Sequence, residues 1–346
     1  MTDRFAPPNG TALAVCDQAN GTYCGGTWKG IQDNLDYIQG MGFDAIWMSP
    51  IVAQMPQWTS DGMSYAGYWQ QNLYEINQAF GNETELQNLV DDIHARGMYF
   101  MMDIVVNHMA FNGEVPSVQY EVFQPFNDKK YFHPYLEPAY NDKDPENSEK
   151  CWMGSWDVPL VDIDTTDPIV RQLFTMWIKT QIWKWGVDGL RIDAGINVEP
   201  EFFPDFMEAA GVFGTAEVYT AYDEIACQWE STVGSVLNYP LYWKITDAFQ
   251  DSDGDMSGLS DMFKSERSNC KDPLSFGTFS EVRIALSFED STKLTTAEPR
   301  CPTFRQPHDR PRTRAKRCSI RRDVRWHSRR ISRIRAALHR RHQSVH

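Results

Sequence analysis

Between residues 30 and 281 the apolar positions alternate between two periods. Residues 30–40 (GIQDNLDYIQG) carry apolar side chains at helical spacing, and the apolar run Ala45-Ile-Trp-Met48 follows. Residues 83–96 repeat the helical period up to Gly97. Residues 98–106 (MYFMMDIVV) then form a run apolar enough for a strand buried on both faces. A long helix is predicted over 167–185, capped by Gly186 and followed by a strand over 187–193. Further short strands are predicted at 214–218, 236–238 and 278–281, separated by helical stretches. Repeated strand–helix units specify a parallel sheet, and this many favour a closed α/β barrel.

Residues 109–164 break that rhythm, being rich in Pro, Tyr, Asn and Asp with no helical period. So long a segment inside a compact domain is either functional or a small domain of its own. From residue 282 onward the pattern fails altogether. Those residues hold 18 of the 33 Lys and Arg, 5 of the 47 Asp and Glu, and five of the eight His, which joins a body of charge -27 to a tail of +13. An acidic body argues against nucleic acid as a partner and suits a secreted enzyme handling neutral sugars. The tail fits a nucleic-acid-binding arm, a disordered extension or out-of-frame sequence, and the last is favoured for a reason given below.

The seven Cys are not spaced as zinc ligands. Cys16 and Cys24 flank a short polar loop and read as a disulfide-closed turn; Cys227 and Cys270, farther apart, are the candidates for a second bridge. Sequons at Asn9, Asn20 and Asn82 point the same way. The chain shows no signal peptide and no apolar run long enough to span a membrane. Secretion or attachment to a cell wall is therefore expected of the intact protein, with a monomer as the expected state. Asp251-Ser-Asp-Gly-Asp255 opens like a calcium-binding loop, but Met256 and Met262 stand where Gly and Glu are needed, so a solvated loop is expected.

Polar residues gather where the predicted strands end, which is where α/β barrels place active sites. Asp103, Asn107 and His108 close one strand, Arg191 and Asp193 the next, and Glu217 the one after. Two carboxylates from successive strand ends suit glycoside hydrolysis: one attacks the anomeric carbon, while the other protonates the leaving oxygen and then activates water. Arg191, two residues before Asp193, points to the same side of the strand and can hold that carboxylate ionised.

Asp103-Ile-Val-Val-Asn-His108, Gly189-Leu-Arg-Ile-Asp193, Gly214-Thr-Ala-Glu-Val218 and Gly277-Thr-Phe-Ser-Glu281 resemble, in order and spacing, the four signature regions of the α-amylase family, glycoside hydrolase family 13. Cys24-Gly-Gly-Thr-Trp28 and Tyr68-Trp-Gln-Gln71 resemble the fungal branch. The resemblance covers residues 1–281. It implies a (β/α)8 TIM barrel, built from residues 1–108 and 165–281, with residues 109–164 as a small calcium-binding domain inserted after the third strand. It also implies an incomplete barrel: Thr2-Asp-Arg-Phe5 resembles the close of a first strand, and the last strand is missing. Carried over residue by residue, Asp193 matches the nucleophile and Glu217 the general acid/base. Arg191 matches the residue orienting the nucleophile, and Tyr68, Trp69, Asp103 and His108 match residues lining the sugar site. Ca2+ ligands correspond to Asn107, Glu149 and Asp162, with a backbone carbonyl near Asn197. The implied substrate is an α-glucan such as starch or a maltooligosaccharide.

The chain also departs from the family. Ile196-Asn197 replaces the usual Lys-His beyond the nucleophile, and Ala66 replaces a His before Gly-Tyr-Trp. Both changes fall where sugars would be held, and they fit a relative that transfers glucan chains as well as one that hydrolyses them. Residues 135–137 lack the Cys that would pair with Cys151, so a free buried thiol is expected there. After Glu281 the family continues Asn-His-Asp, an Asp that stabilises the transition state, whereas here Val-Arg-Ile follows. That loss predicts an inactive chain, or a carbohydrate-binding relic. Every Val codon begins GT, and Ala297-Glu298 permits AG before AA. Removing the interval shifts the frame, and residues 298–304 can then encode Asn-His-Asp-Val-Pro-Arg-Phe. A retained intron followed by an out-of-frame tail over 282–346 is the expectation.

Overall fold

A computed structural model describes residues 1–280 apart from 12–15, 17–20, 140–143, 251–253 and 255. Residue 281, the predicted tail and most of the Asp251–Asp255 loop lie outside the described residues. The first element, α1 (Thr2–Phe5), is a single helical turn rather than the close of a strand. Its Asp3 is drawn inward, where the carboxylate accepts from the Cys24 and Gly25 amides at 2.9–3.1 Å and the carbonyl from Gly26 N at 2.9 Å. Those bonds tie the turn to the loop closed by the Cys16–Cys24 disulfide. A second disulfide joins Cys227 to Cys270, and Cys151 is a free, buried thiol.

The predicted helix over 30–40 begins earlier and is broken. α2 (Trp28–Asp33) is capped by Thr27, whose hydroxyl accepts from Gly30 N, and α3 (Leu35–Gly40) restarts the helix beyond Asn34. The Asn34 side-chain amide donates to Gly30 O at 2.8 Å, the local competition with backbone bonding that makes Asn a poor helix-interior residue. Then come β1 (Ala45–Met48), the antiparallel pair β2 (Val52–Gln54) and β3 (Gln70–Ile76), and α4 (Glu83–Ala95), opened by an Asn82/Glu85 capping box. β4 (Tyr99–Val105) follows.

From here the chain leaves the sheet. β5 (His108–Ala110), α5 (Pro145–Ser148), β6 (Met153–Gly154) and β7 (Pro159–Asp162) belong to an excursion whose three strands pair antiparallel in the order β5-β7-β6. The segment without helical period thus builds a small sheet of its own. α6 (Pro168–Trp185) brings the chain back, capped by Asp167 at its start and ended by Gly186 at φ 63°, a left-handed conformation that glycine adopts without a Cβ penalty. β8 (Gly189–Asp193), α7 (Phe203–Ala210), β9 (Phe213–Ala216), α8 (Asp223–Val233), α9 (Tyr239–Phe249) and α10 (Met256–Asn269) complete the described elements.

The central sheet is parallel, in the order β1-β4-β8-β9. Single parallel bridges extend it, from Ala216 to Val236 and from Leu237 to Gly277. The predicted strand at 236–238 is thus reduced to bridges, and the bridge expected from 278–281 falls at Gly277 instead, with no strand at 278–280 and residue 281 outside the described residues. β8 is buried along its whole length, and β4 is buried from Met102 to Val105. Phe100, Met102, Leu190 and Ile192 pack beneath Leu86, Leu89 and Ile93 of α4 and Phe174 and Ile178 of α6. Each such side chain contributes about 1.5–3 kcal/mol on burial. This core fixes the register Asp103↔Arg191 and Val105↔Asp193, and with it the rim on which the polar residues stand.

Candidate active site

Arg191 is the centre of that rim. Its Nη1 donates to Asp103 Oδ1 at 3.0 Å and to Asp193 Oδ1 at 2.6 Å, and its Nη2 donates to Glu217 Oε2 at 2.6 Å. Three strand ends, β4, β8 and β9, thereby deliver three carboxylates to one guanidinium that is itself only 5% exposed. The predicted group of Asp103, Arg191, Asp193 and Glu217 is brought together. Tyr68 joins it, its hydroxyl donating to Asp103 Oδ2 at 2.9 Å.

The turn after β8 is shaped for the same purpose. Ala194 adopts φ 49°, unusual for a residue with a Cβ, and so turns its N–H onto Glu217 Oε2 at 3.2 Å. A Cβ on Gly195 would lie 2.9 Å from the Ala216 Cβ and 3.1 Å from Glu217 O, so only glycine lets this turn sit against the end of β9. Two residues absent from the sequence-based set also join the cluster. Trp47 donates from Nε1 to Asp103 Oδ2 at 2.8 Å, and Tyr239 donates to Glu217 Oε1 at 2.7 Å. Both follow the same rule as the others, since each sits at or just past the end of a parallel strand; an aromatic ring there was the available signal.

Three carboxylates share one guanidinium, so full ionisation would leave excess buried negative charge. Burial raises the Asp193 carboxyl well above the ordinary carboxylate range, Arg191 opposes this, and Glu217 and Asp103 add to it. Asp103 is raised by the same burial. Burial also acts to raise Glu217, but Arg191, Tyr239, the Ala194 amide and a hydrogen bond with Asp193 outweigh it, and the carboxyl is lowered. Burial alone would lower Arg191; the three carboxylates hold it well above its usual value. Within one cluster, then, Asp193 is pushed up and Glu217 down.

The other sugar-site candidates sit differently. His108 is buried, its Nε2 lying 3.0 Å from the Tyr68 carbonyl and its Nδ1 3.3 Å from Asn107 Nδ2. The carbonyl can only accept, so Nε2 carries the hydrogen. Burial, opposed by that carbonyl, lowers the ring to about 4, leaving it neutral at pH 7. A sugar hydroxyl reaching His108 would have to displace one of these partners. Trp69 is half-buried and held through its backbone, its N–H donating to Gln54 Oε1 at 2.8 Å and its carbonyl accepting from Met55 N, rather than to the Arg191 cluster.

A second polar cluster lies at the seam between the central sheet and the excursion. Asn107 O accepts from Ile163 N at 2.8 Å and Asp162 pairs in register with His108, so Asn107 and Asp162 meet there. Asn107 Oδ1 and Asp162 Oδ1 are both buried without a hydrogen-bond donor. Asn197 Nδ2 donates to Ser148 O at 2.9 Å, which brings Asn197 beside Glu149. Burial, reinforced by Glu199 and Glu201, pushes Glu149 up to about 6. Burial and the nearby Asp162 push the Cys151 thiol up to about 11. Two orphaned acceptors beside a repelled carboxylate are a donor set a cation would satisfy, so the residues present fit a hard metal ion. A further group, His133, Asp164 and Glu199, has ligand atoms within 4.8 Å of one another and is another place able to hold a metal. Sequence analysis missed His133 and Glu199: the first lies in a segment without periodicity, the second beyond a strand end among other acidic residues.

A family model for the alpha-amylase catalytic domain matches residues 1–272. Alpha-amylase 2 of Schwanniomyces occidentalis is 43% identical over 282 residues, 81% of this chain and 55% of that protein. The alpha-amylase of Saccharomycopsis fibuligera is 41% identical over 302 residues, 86% of this chain and 61% of that protein. The solved structure of an alpha-amylase from Malbranchea cinnamomea, 41% identical, superposes with a TM-score of 0.79 over 82% of this chain and 59% of that one. The chain thus spans 55–61% of the length of these relatives. With its parallel sheet, its carboxylates at the strand ends and a family match over most of its length, the chain belongs to the alpha-amylase family and carries the TIM-barrel catalytic fold of that family.

Proposed function

We propose that the chain carries the centre of a retaining glycoside hydrolase that cleaves internal α-1,4 bonds of starch-like α-glucans. The observation that carries this reading is the convergence of Asp103, Asp193 and Glu217 on Arg191 at the ends of three parallel strands. Asp193 is the nucleophile: its carboxylate oxygen bonds the anomeric carbon as the glycosidic oxygen leaves. Glu217 gives that oxygen its proton, then takes one from water as the glycosyl–Asp193 ester is hydrolysed. Asp103 accepts from sugar hydroxyls, and Tyr68 offers its ring to a sugar face.

The two carboxyls are shifted in opposite directions, Asp193 up by burial and Glu217, against its own burial, down chiefly by Arg191. Groups this close titrate as a pair. A glucan that draws Glu217 away from Arg191 Nη2 weakens the influence that lowers it most, which favours the protonated form its role requires.

Calcium belongs to the same proposal. Asn107, Glu149, Asp162 and the Asn197 carbonyl would hold it; the orphaned oxygens of Asn107 and Asp162 support this. Bound there, Ca2+ supplies charge that cross-links residues 109–164, which we take as an inserted domain, to the barrel. We further take the protein to be secreted, which its disulfides support because they persist in oxidising compartments.

A second reading, transfer of glucan chains to another sugar, is favoured by Ile196. Where the family carries a basic residue beside the nucleophile turn, this apolar side chain is buried and its backbone N donates to Glu217 O at 3.3 Å. Because the Asn-His-Asp expected after Glu281 is missing, the test uses the calcium-loaded protein with that segment restored: incubating it with maltooligosaccharides and resolving the products tests both. Shorter products alone support hydrolysis, products longer than the substrate support transfer, and bound but unaltered sugar would overturn both.

A further inference from the structure

We propose that His133, Asp164 and Glu199 form a binding site for a zinc-type divalent ion, distinct from the oxygen set assigned to calcium. The argument begins with the imidazole. His133 Nδ1 lies 2.7 Å from Asp162 Oδ2, and a carboxylate can only accept, so Nδ1 carries a hydrogen. Nε2 then faces Asp164 Oδ1 and Glu199 Oε1, each 3.4 Å away. That separation is too long for a good N–H···O bond, which runs to about 3.2 Å. Nε2 thus faces two carboxylate oxygens without a hydrogen bond of good length to either.

An ion between them removes the conflict. Ligand bonds of about 2.0–2.1 Å at the tetrahedral angle put neighbouring donor atoms about 3.4 Å apart. The second observation is Glu199. It is 4% exposed, its Oε2 is engaged by the Thr165 hydroxyl, and its Oε1 is buried without a hydrogen-bond partner, aimed into the cluster. Asp164 is positioned by its own turn, accepting from Thr166 N at 2.9 Å. It is also the most open of the three, with 27% of its side chain exposed, and leaves room for water as a fourth ligand.

The chemistry of the donors selects the metal. Calcium takes oxygen alone, whereas one imidazole with two carboxylates suits zinc. The Asp162–His133 bond is the carboxylate–imidazole pairing that fixes the ring and raises its basicity toward such an ion. Because Asp162 is also a calcium candidate, the two sites share a side-chain bond, and each bound ion holds the orientation the other needs. The zinc site would tie residues 133 and 164 to Glu199, beyond the end of β8.

The test uses the full chain, stripped with chelator and returned to excess calcium, then titrated with Zn2+ and with Co2+ as the spectroscopic probe. One equivalent should bind, the Co2+ form showing the intense visible bands of a four-coordinate site that calcium does not displace. Glu199→Gln and Asp164→Asn should each weaken zinc by about 100-fold or more, beyond the 10–100-fold typical of losing a partner of a ligand. Asp164 is partly exposed, so its variant keeps the test available should Glu199→Gln fail to fold. Absence of binding in excess calcium, stoichiometric displacement by calcium, or unchanged affinity in the folded variants would each overturn the site. The first of these would leave His133 as an imidazolium held by three carboxylates.

Discussion

The rim cluster and the seam cluster both bury several carboxylates, and they compensate that charge in different ways. At the rim the chain supplies its own cation. Arg191 reaches Asp103, Asp193 and Glu217 at 2.6–3.0 Å, so each carboxylate has a donor, and burial with the remaining negative excess pushes Asp193 upward. At the seam His133 is paired with Asp162, Asp164 and Glu199, and oxygens of Asn107, Asp162 and Glu199 still lack hydrogen-bond donors. A fixed guanidinium suits a reaction centre, because charge must move there while the frame stays in place. Orphaned oxygens suit a site completed by an ion, because only a ligand can satisfy them. Buried carboxylates therefore carry no single meaning; the identity of the compensating charge separates the two.

The largest expected effect breaks the rim. Asp193→Asn should lower turnover of maltooligosaccharides on the order of 10⁴-fold, and Glu217→Gln by about 10²–10⁴-fold, measured as initial rates with calcium present. A mere structural ion pair would leave turnover within a small factor. Next comes the cation. Arg191→Met strands three carboxylates and should cost about 3–5 kcal/mol of unfolding free energy in denaturant titrations. The deficit should shrink in acid, where protonation removes the stranded charge. A variant as stable as the parent at neutral pH would mean that the rim is not held together by its guanidinium.

The seam should answer to metal instead of to a side chain. Chelation should lower stability by about 2.7 kcal/mol relative to calcium at 100 times its dissociation constant, and Asp162→Asn should abolish that difference. If the parent melts alike with and without calcium, the contrast between the two clusters fails. Acid–base behaviour sharpens the contrast further. The folded pKa of Asp193 lies above its ordinary value of 3.8, so the folded state binds a proton that the unfolded chain has released, and stability from this group is lost as pH rises through the interval between the two. Asp193→Asn should therefore gain on the parent in melting temperature as pH rises above about 4, opposite to Glu217, whose lowered value gives stability lost in acid. The smallest effect is at Tyr239. Tyr239→Phe removes one bond that lowers Glu217, the general acid, so the alkaline limb of the rate profile should move to higher pH with a rate change of about tenfold or less.

Much of this was legible in the chain. The runs at 98–106 and 187–193 are apolar on both faces and end in charge, which is possible only if the strand is buried and its end meets a partner; β4 and β8 do both. The C-terminal cap was equally readable, Gly186 ending α6 as expected, while Asp167, read as its first helical residue, is its N-cap. The predicted helix at 30–40 missed its break because hydrophobic spacing does not register the Asn34 side chain bonding to Gly30 O. The strand expected at 236–238 shrank to bridges and the one expected at 278–281 gave a single bridge one residue earlier, at Gly277, since length in a short strand is set by its neighbours, not by its own residues.

The sequence by itself determined the alternation of strands and helices, the rim on which carboxylates would stand, and the family, because each depends on local pattern or on residue order. Only the tertiary structure decided which groups meet. It brought Trp47 and Tyr239 onto Asp103 and Glu217, and His133 from an irregular segment onto Glu199 from beyond a strand end. It also decided which carboxyl is raised and which is lowered. That choice is made by burial and by distance to one guanidinium, and neither quantity exists until the strands have packed side by side.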